Sequence, residues 1–378
     1  MKVLALVDAP DHVCCRYRIR AFEPALSDAG CQLTLRGLVR GVVARWLQLR
    51  RVSEYDAVIL QRKLLPSWQL AALRKRSRHL VFDFDDAVLY RDSYDARGPH
   101  SFRRERRFAQ TVRLADSVIA GNDFLADCAL RAGASPERVR VIPTCVDTTR
   151  YMPRSRHGEN PSGLDLVWIG SSSTLQGLEQ RRMLWERIGR ELPGVRLRLI
   201  CDRFPEFGPL PVVPIAWNET SEAAALASGD VGVSWIPDDL WSRGKCGLKV
   251  VQYQAAGLPV LTNPVGVHVQ MVVPGKTGLL AETDDEWMAA IRELLRDPEA
   301  RQRMGTAARA SVEVGYSVAA WAESFVSSVV APPPAPMVRG EVALHHPKPR
   351  ERPGLRSHSS IPKPPSDFEA ARVSVSDG

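Results

Sequence analysis

Lys249 and Gln252 stand three residues apart in the segment RGKCGLKVVQYQAAGLPVLTNP, residues 243–264, and at that spacing both occupy one face of a helix. Leu248, Val251 and Ala255 form the neighbouring apolar stripe that would lie on a sheet. Gly247 opens the helix, Gly257 fits the position after its last turn, and Pro259 forbids continuation. A helix N-terminus presents unpaired N–H groups and about half a positive charge. A diphosphate placed there meets amides, a dipole and the Lys249 ammonium together, and Gln252, one turn deeper, comes within reach of the hydroxyls of an attached ribose. The combination predicts a nucleotide-sugar site, against the plainer reading of an amphipathic helix that binds nothing.

The turn Gly170-Ser171-Ser172 follows the apolar run Leu164–Ile169. Amides and small hydroxyls there can approach phosphate closely, or simply cap a helix. In the N-terminal half, Asp83-x-Asp85-Asp86 ends the run Leu80–Phe84, so Asp85 and Asp86 are expected past a strand end, where a carboxylate can position an acceptor hydroxyl or take its proton; strand-end turns also use aspartate as a cap. Arg16, Tyr17 and Arg18 close the loop Asp8–Cys15 and are candidates either for an acceptor phosphate or sugar or for the surface. His100 and His268 are isolated, and a lone histidine is expected to be structural or exposed.

Positioning such groups requires strand ends gathered at one edge. Short continuous apolar runs at 3–7, 57–61, 80–85, 117–120 and 139–143 alternate with helical patterns at 19–28, 67–75, 102–115 and 124–132. Strands of this kind belong to parallel sheets covered by helices on both faces. At 151–163 the periodicity lapses into prolines, glycines and charges, read as a linker. The alternation restarts with runs at 164–169, 196–200, 231–235, 260–262 and 278–280 and helices at 178–192, 284–295 and 298–312. The fold class is therefore α/β, with two Rossmann-like domains, 1–150 and 164–316, facing each other across a cleft, where ligands bind beyond the carboxyl ends of strands. Residues 317–330 are amphipathic, and 331–378, with APPPAP, HHPKPRERPG and IPKPPSD, are too rich in proline and charge to bury a core and are expected to be disordered.

Length and composition fit this picture. The chain has 378 residues, 44% of them hydrophobic and 25% charged, and no apolar run approaches the ~20 residues that span a bilayer. Val3–Val7 stops at Asp8, which makes a first strand and a poor signal peptide, so residence in the cytoplasm is expected. Seven scattered cysteines without C-x-x-C argue for reduced thiols and against a disulfide frame or zinc site. The net charge of +8 suits an anionic small substrate or an anionic membrane face; with no nucleic-acid signature beside the basic clusters at 74–78 and 103–107, no nucleic-acid partner is expected.

The pattern K-x-x-Q-Y-x-A-A-G-x-P-V (249–260) is similar to the K-x-x-E-Y-x-A-x-G-x-P-V segment of the group 1 glycosyltransferases, family 4, whose architecture is called GT-B. The resemblance spans roughly residues 1–330 and implies a retaining transferase that moves a sugar from a UDP- or GDP-sugar to a hydroxyl acceptor. It implies that Lys249 binds the donor diphosphate and that Gln252 replaces a ribose-binding glutamate. Gly244 stands where the family usually has a second glutamate, with Lys245 as a substitute, and Lys245 or Arg243 would help to neutralise the diphosphate. Gly266-Val267-x-x-Gln270 lies where the family often has G-G-x-x-E near the donor, and Gly121-Asn122 falls at a weak landmark. DFDDA resembles the D-D-A of a bacterial subgroup, in the place of a cleft histidine, and a metal-chelating D-x-D belongs to transferases of a different, single-domain fold. No metal and no cofactor beyond the donor are implied. The acceptor is a saccharide or a lipid-linked saccharide, with peripheral contact at the inner face of the membrane and a role in cell-envelope or exopolysaccharide synthesis. In the resembled fold the helix 317–330 crosses back onto the first domain. Two alternatives use the same architecture: a nucleotide-sugar 2-epimerase and a degenerate, non-catalytic nucleotide-sugar binder.

Overall fold

Apolar runs and intervening helices assemble into two parallel six-stranded sheets, ordered β2-β1-β3-β4-β5-β6 and β12-β11-β10-β7-β8-β9. The computed structural model describes residues 1–153 and 163–330; most of the expected linker and the expected disordered tail lie outside the described residues. The first lobe runs β1 (Lys2–Val7), α1 (Val13–Arg18), α2 (Glu23–Asp28), β2 (Gln32–Gly37), α3 (Val42–Arg50), β3 (Ala57–Gln61), α4 (Ser67–Arg76), β4 (His79–Phe84), α5 (Phe102–Leu114), β5 (Ser117–Ala120), α6 (Asp123–Arg131) and β6 (Val139–Val141). The second runs β7 (Leu164–Ile169), α7 (Ser172–Glu179), α8 (Arg182–Glu191), β8 (Val195–Cys201), β9 (Val212–Ala216), α9 (Glu222–Ala227), β10 (Val231–Ser234), α10 (Leu240–Arg243), α11 (Leu248–Ala255), β11 (Val260–Thr262), α12 (His268–Met271), β12 (Gly278–Leu280), α13 (Asp284–Arg296) and α14 (Pro298–Gly315), and α15 (Val318–Val330) ends the described chain.

Several elements differ from expectation. The helix expected over 19–28 is a 3-10 turn at Arg20–Phe22 followed by α2, with α1 preceding it from inside the expected loop, because Pro24 opens α2 and has no N–H to continue an earlier turn. The helix expected over 178–192 is α7 followed by α8. Residues 29–56, unassigned in the sequence, hold the edge strand β2 and α3.

Strand order reverses between β1 and β3 in the first sheet and between β7 and β10 in the second, and such switch points are where α/β sheets bind ligands. Arg62 follows β3, Gly170 follows β7, and α10 and then α11 follow β10. Helix α15 packs on the first sheet: Phe325 stacks on Phe22 with centroids 4.3 Å apart, and Phe325 and Val329 are buried with Val3, Ala5, Ile59 and Ile119. The chain passes between the lobes at two adjacent places joined as a short ladder, Val146 N–H to Tyr316 O at 3.0 Å and Val318 N–H to Val146 O at 3.0 Å. All seven cysteines are free, and among the described residues no helix is long and apolar enough to cross a membrane.

Candidate functional site

Lys249 sits in the first turn of α11, two residues past the N-cap Gly247, which takes the left-handed conformation (φ 64°). A Cβ on Gly247 would lie 2.5 Å from Met271 Sδ, so both backbone conformation and space call for glycine here. The Lys249 ammonium lies 4.1 Å above the Trp168 ring and donates to Thr174 Oγ1 at 3.4 Å. Thr174 belongs to the first turn of α7, so the starts of α7 and α11 converge on this ammonium. Gly170 permits the convergence, since a Cβ there would meet Trp168 at 2.4 Å and Thr174 Oγ1 at 2.6 Å. No carboxylate pairs with Lys249 among the described residues. Burial and the neighbouring Lys245 ammonium pull its pKa down to about 7. Two positive helix ends and an unpaired lysine form a seat for an anion.

The serine turn is only partly free for this purpose. Ser171 forms a capping box with Thr174, as the capping alternative foresaw. Ser172 differs from its expected role: its N–H and hydroxyl both bind the Asp202 carboxylate, at 2.6 and 2.8 Å, so an acid already holds the amide expected to receive phosphate.

Gln252 also departs from expectation. It is 4% exposed, and its amide nitrogen donates to the Tyr17 and Tyr151 hydroxyls at 2.8 and 3.1 Å, so it faces a buried cluster between the lobes. Glu222, 2% exposed, is the centre of that cluster: it accepts from Arg16 Nη2 at 2.8 Å, Tyr17 at 2.7 Å and Trp217 Nε1 at 3.0 Å. Burial raises Tyr17 far above the ordinary tyrosine range and Tyr151 to about 12, so both hydroxyls keep their protons and donate. Arg16, Tyr17 and Arg18 are thus neither surface groups nor open to an acceptor; Arg18 turns to Asp83 at 2.6 Å. Gln252→Glu, which restores the family's acid, is expected to leave UDP affinity no higher and to place a second carboxyl near Glu222. Its folded pKa would lie above the glutamate range, so stability holds at low pH and falls by about 1–3 kcal/mol as pH rises through that value. Urea unfolding at pH 5 and pH 8 checks the sign.

Across the cleft, Asp85 and Asp86 follow β4 and are clamped by Arg62, whose Nε lies 3.4 Å from Asp85 Oδ1 and whose Nη2 pairs with Asp86. Asp83, the first acid of the run, is fully buried on Arg18. Burial raises the Asp86 pKa, opposed by Arg62 and by Lys245 from the other lobe. Arg62 carries the one positive φ outside glycine among the described residues, 58°, a conformation that costs about 1–3 kcal/mol and persists where the surroundings hold it. Its guanidinium also touches Cys14. No sequence signal marks Arg62, since its contacts arise from the adjacency of β3 and β4.

The lobes meet at the loop before α11. Asn122 caps α6 through Leu125 N–H at 2.9 Å and donates to Lys245 O at 3.1 Å. A Cβ on Gly244 would lie 2.5 Å from that of Ala87, so the position that carries an acid in the resembled family is here a contact between lobes. Lys245 is partly buried, its ammonium 5.6 Å from the Trp241 ring. Arg243 is bound to Asp238 at 2.8 Å and lines a pocket of about 230 Å³ with Gly266, Gln270 and Asn122. His268 is buried on Thr262 at 2.7 Å and lowered by burial to about 4, hence neutral and structural, and His100 is exposed beside Glu105.

Two family models match in succession, Glycosyltransferase Family 4 over residues 9–150 and Glycosyl transferase-like over residues 180–327. A D-inositol 3-phosphate glycosyltransferase of Nocardia farcinica is 27% identical over 264 residues, covering 62% of this chain and 56% of that protein. A sulfoquinovosyl transferase of Arabidopsis thaliana is 29% identical over 227 residues, 54% of this chain and 42% of that protein. The chain thus spans about half the length of the curated relatives it matches. Among solved structures, a sucrose-phosphate synthase from Thermosynechococcus elongatus aligns with TM-score 0.67 at 16% identity over 85% of this chain and 96% of that one. HepE of Anabaena, in complex with UDP and glucose, aligns with TM-score 0.63 at 16% identity over 87% and 99%. At such identities the likeness is one of fold.

Proposed function

The chain belongs to the family 4 glycosyltransferases and has their GT-B fold, and from that premise we propose that it is a retaining enzyme moving a sugar from a UDP- or GDP-sugar to a hydroxyl of a saccharide or lipid-linked saccharide. The observation that carries the reading is Lys249, an ammonium without an acidic partner among the described residues, where two helices begin at the switch point of the second sheet. As the donor bond breaks, charge builds on the diphosphate oxygens, and donors already aimed at them lower the barrier without reorganising. Lys249, Lys245 and the amides beyond Gly247 supply those donors. Gly266, beside the Arg243 backbone, borders the sugar end. On the facing lobe Asp85 and Asp86, held by Arg62, orient the acceptor hydroxyl. UDP and glucose in the Anabaena structure are of the ligand class proposed. The setting is cell-envelope or exopolysaccharide assembly at the cytoplasmic face of a membrane.

A second reading, a nucleotide-sugar binder without turnover, is favoured by two features: Gly244 has no room for an acid, and Gln252 is spent on Tyr17 and Tyr151. Incubation with UDP- and GDP-sugars in the presence of glycosyl acceptors separates them. Nucleotide release with glycosylated product supports the transferase, saturable binding alone supports the binder, and an epimerised donor overturns both.

A further inference from the structure

Helix α3 is built inside out. Its polar side chains turn inward: Gln48 Nε2 donates to Gly37 O at 2.8 Å, and Arg45 Nε to Val39 O at 2.7 Å. Leu49 is its single buried residue. The outer face carries Val42, Val43, Trp46 and Leu47, which are 64, 70, 41 and 51% exposed. A helix at a sheet edge ordinarily places these groups the other way round, and an exposed contiguous apolar face on a monomer marks a surface for something else. The charges around it have one sign: residues 36–51 contain five arginines and no acid. Arg50 stacks over Trp46 at 4.7 Å, an amphipathic pair of the kind that settles at a headgroup boundary. Trp68 of the adjoining α4 is also half exposed.

We propose that the outer face of α3 docks on an anionic lipid bilayer, Val42, Val43, Trp46 and Leu47 entering the boundary of the acyl chains and Arg40 and Arg50 meeting headgroup phosphates. Apolar insertion combined with basic residues is how interfacial helices hold a leaflet. Pairing of two copies through the same face would bring the arginines of both against one another, which disfavours a second chain as the occupant. The proposal deepens the reading of a lipid-linked acceptor and rests on it for its purpose, but docking needs neither donor nor acceptor to be measured.

Sedimentation of the full chain with vesicles of equimolar phosphatidylcholine and phosphatidylglycerol, and with phosphatidylcholine alone, tests it. The chain is expected to partition onto the anionic vesicles and to be released by salt. Val43→Glu/Leu47→Glu, both at exposed positions, should weaken partition about ten-fold or more with UDP binding and circular dichroism unchanged. Equal partition onto both vesicle types, undiminished partition of the double variant, or a dimer in ultracentrifugation that the variant dissolves would each overturn the proposal. A chain that docks normally but binds neither UDP nor GDP leaves the docking face standing and removes the transferase reading.

Discussion

Lys249→Met is expected to lower kcat/KM for donor by about 10²–10³-fold, the scale on which loss of one preorganised donor to a developing oxyanion acts, and to weaken UDP binding at least about ten-fold. The wild-type pH profile carries a second signature of the same group. With its pKa drawn down to about 7 by burial and by Lys245, Lys249 is an ammonium below neutrality and an amine above it. Donor affinity should therefore be flat at low pH and fall as pH rises through 7, with proton uptake on binding near pH 7–8. The unliganded protein should show the opposite trend, since an unfolded lysine holds its proton to higher pH, and stability then rises between pH 7 and 10. Titration calorimetry of UDP in buffers of different ionisation heat measures the first effect. Lys249→Met should abolish the pH dependence and Lys249→Arg should keep affinity above pH 8; affinity that climbs with pH in the wild type would refute the assignment.

Arg18→Met is expected to cost about 3–5 kcal/mol in urea unfolding, because it strands a buried carboxylate. Arg18 and Asp83 are 1 and 0% exposed, their oxygens and nitrogens 2.6 Å apart, and Arg18 Nη1 donates to Ile142 O at 2.6 Å. Adding Asp83→Leu should recover much of the loss, since a buried ion pair replaced whole by apolar groups is often close to neutral. The pair ties α1 to β4 and β6 behind Asp85 and Asp86, so the single variant should also loosen the acceptor side of the cleft.

These two sites were unequally legible. The parallel sheets could be read because most of their strands are continuous apolar runs, as in VLALV or AVIL, and the place of Lys249 in the first turn of a helix because glycine bounds that segment on both sides. Gln252 shares its face by spacing, yet tertiary partners drew it inward: Tyr17 and Tyr151 lie 235 and 101 residues away in sequence, and no local pattern anticipates them. Arg62 and Glu222 were silent for the same reason. Strand β2 was missed because QLTLRG alternates like an exposed edge strand, and α3 because its apolar face looks outward, against the pattern by which amphipathic helices are recognised.

Helix α15 completes the core of the lobe that the ribosome makes first. Until residues 318–330 emerge, Phe22 lacks the ring it stacks on and the sheet face around Ile59 and Ile119 lacks Phe325 and Val329. At ~5–20 residues per second, synthesis of the intervening lobe takes on the order of 10–30 s. The amino-terminal lobe must wait that long, half-covered, for its own last helix, so the order of translation and the order of folding run in opposite directions.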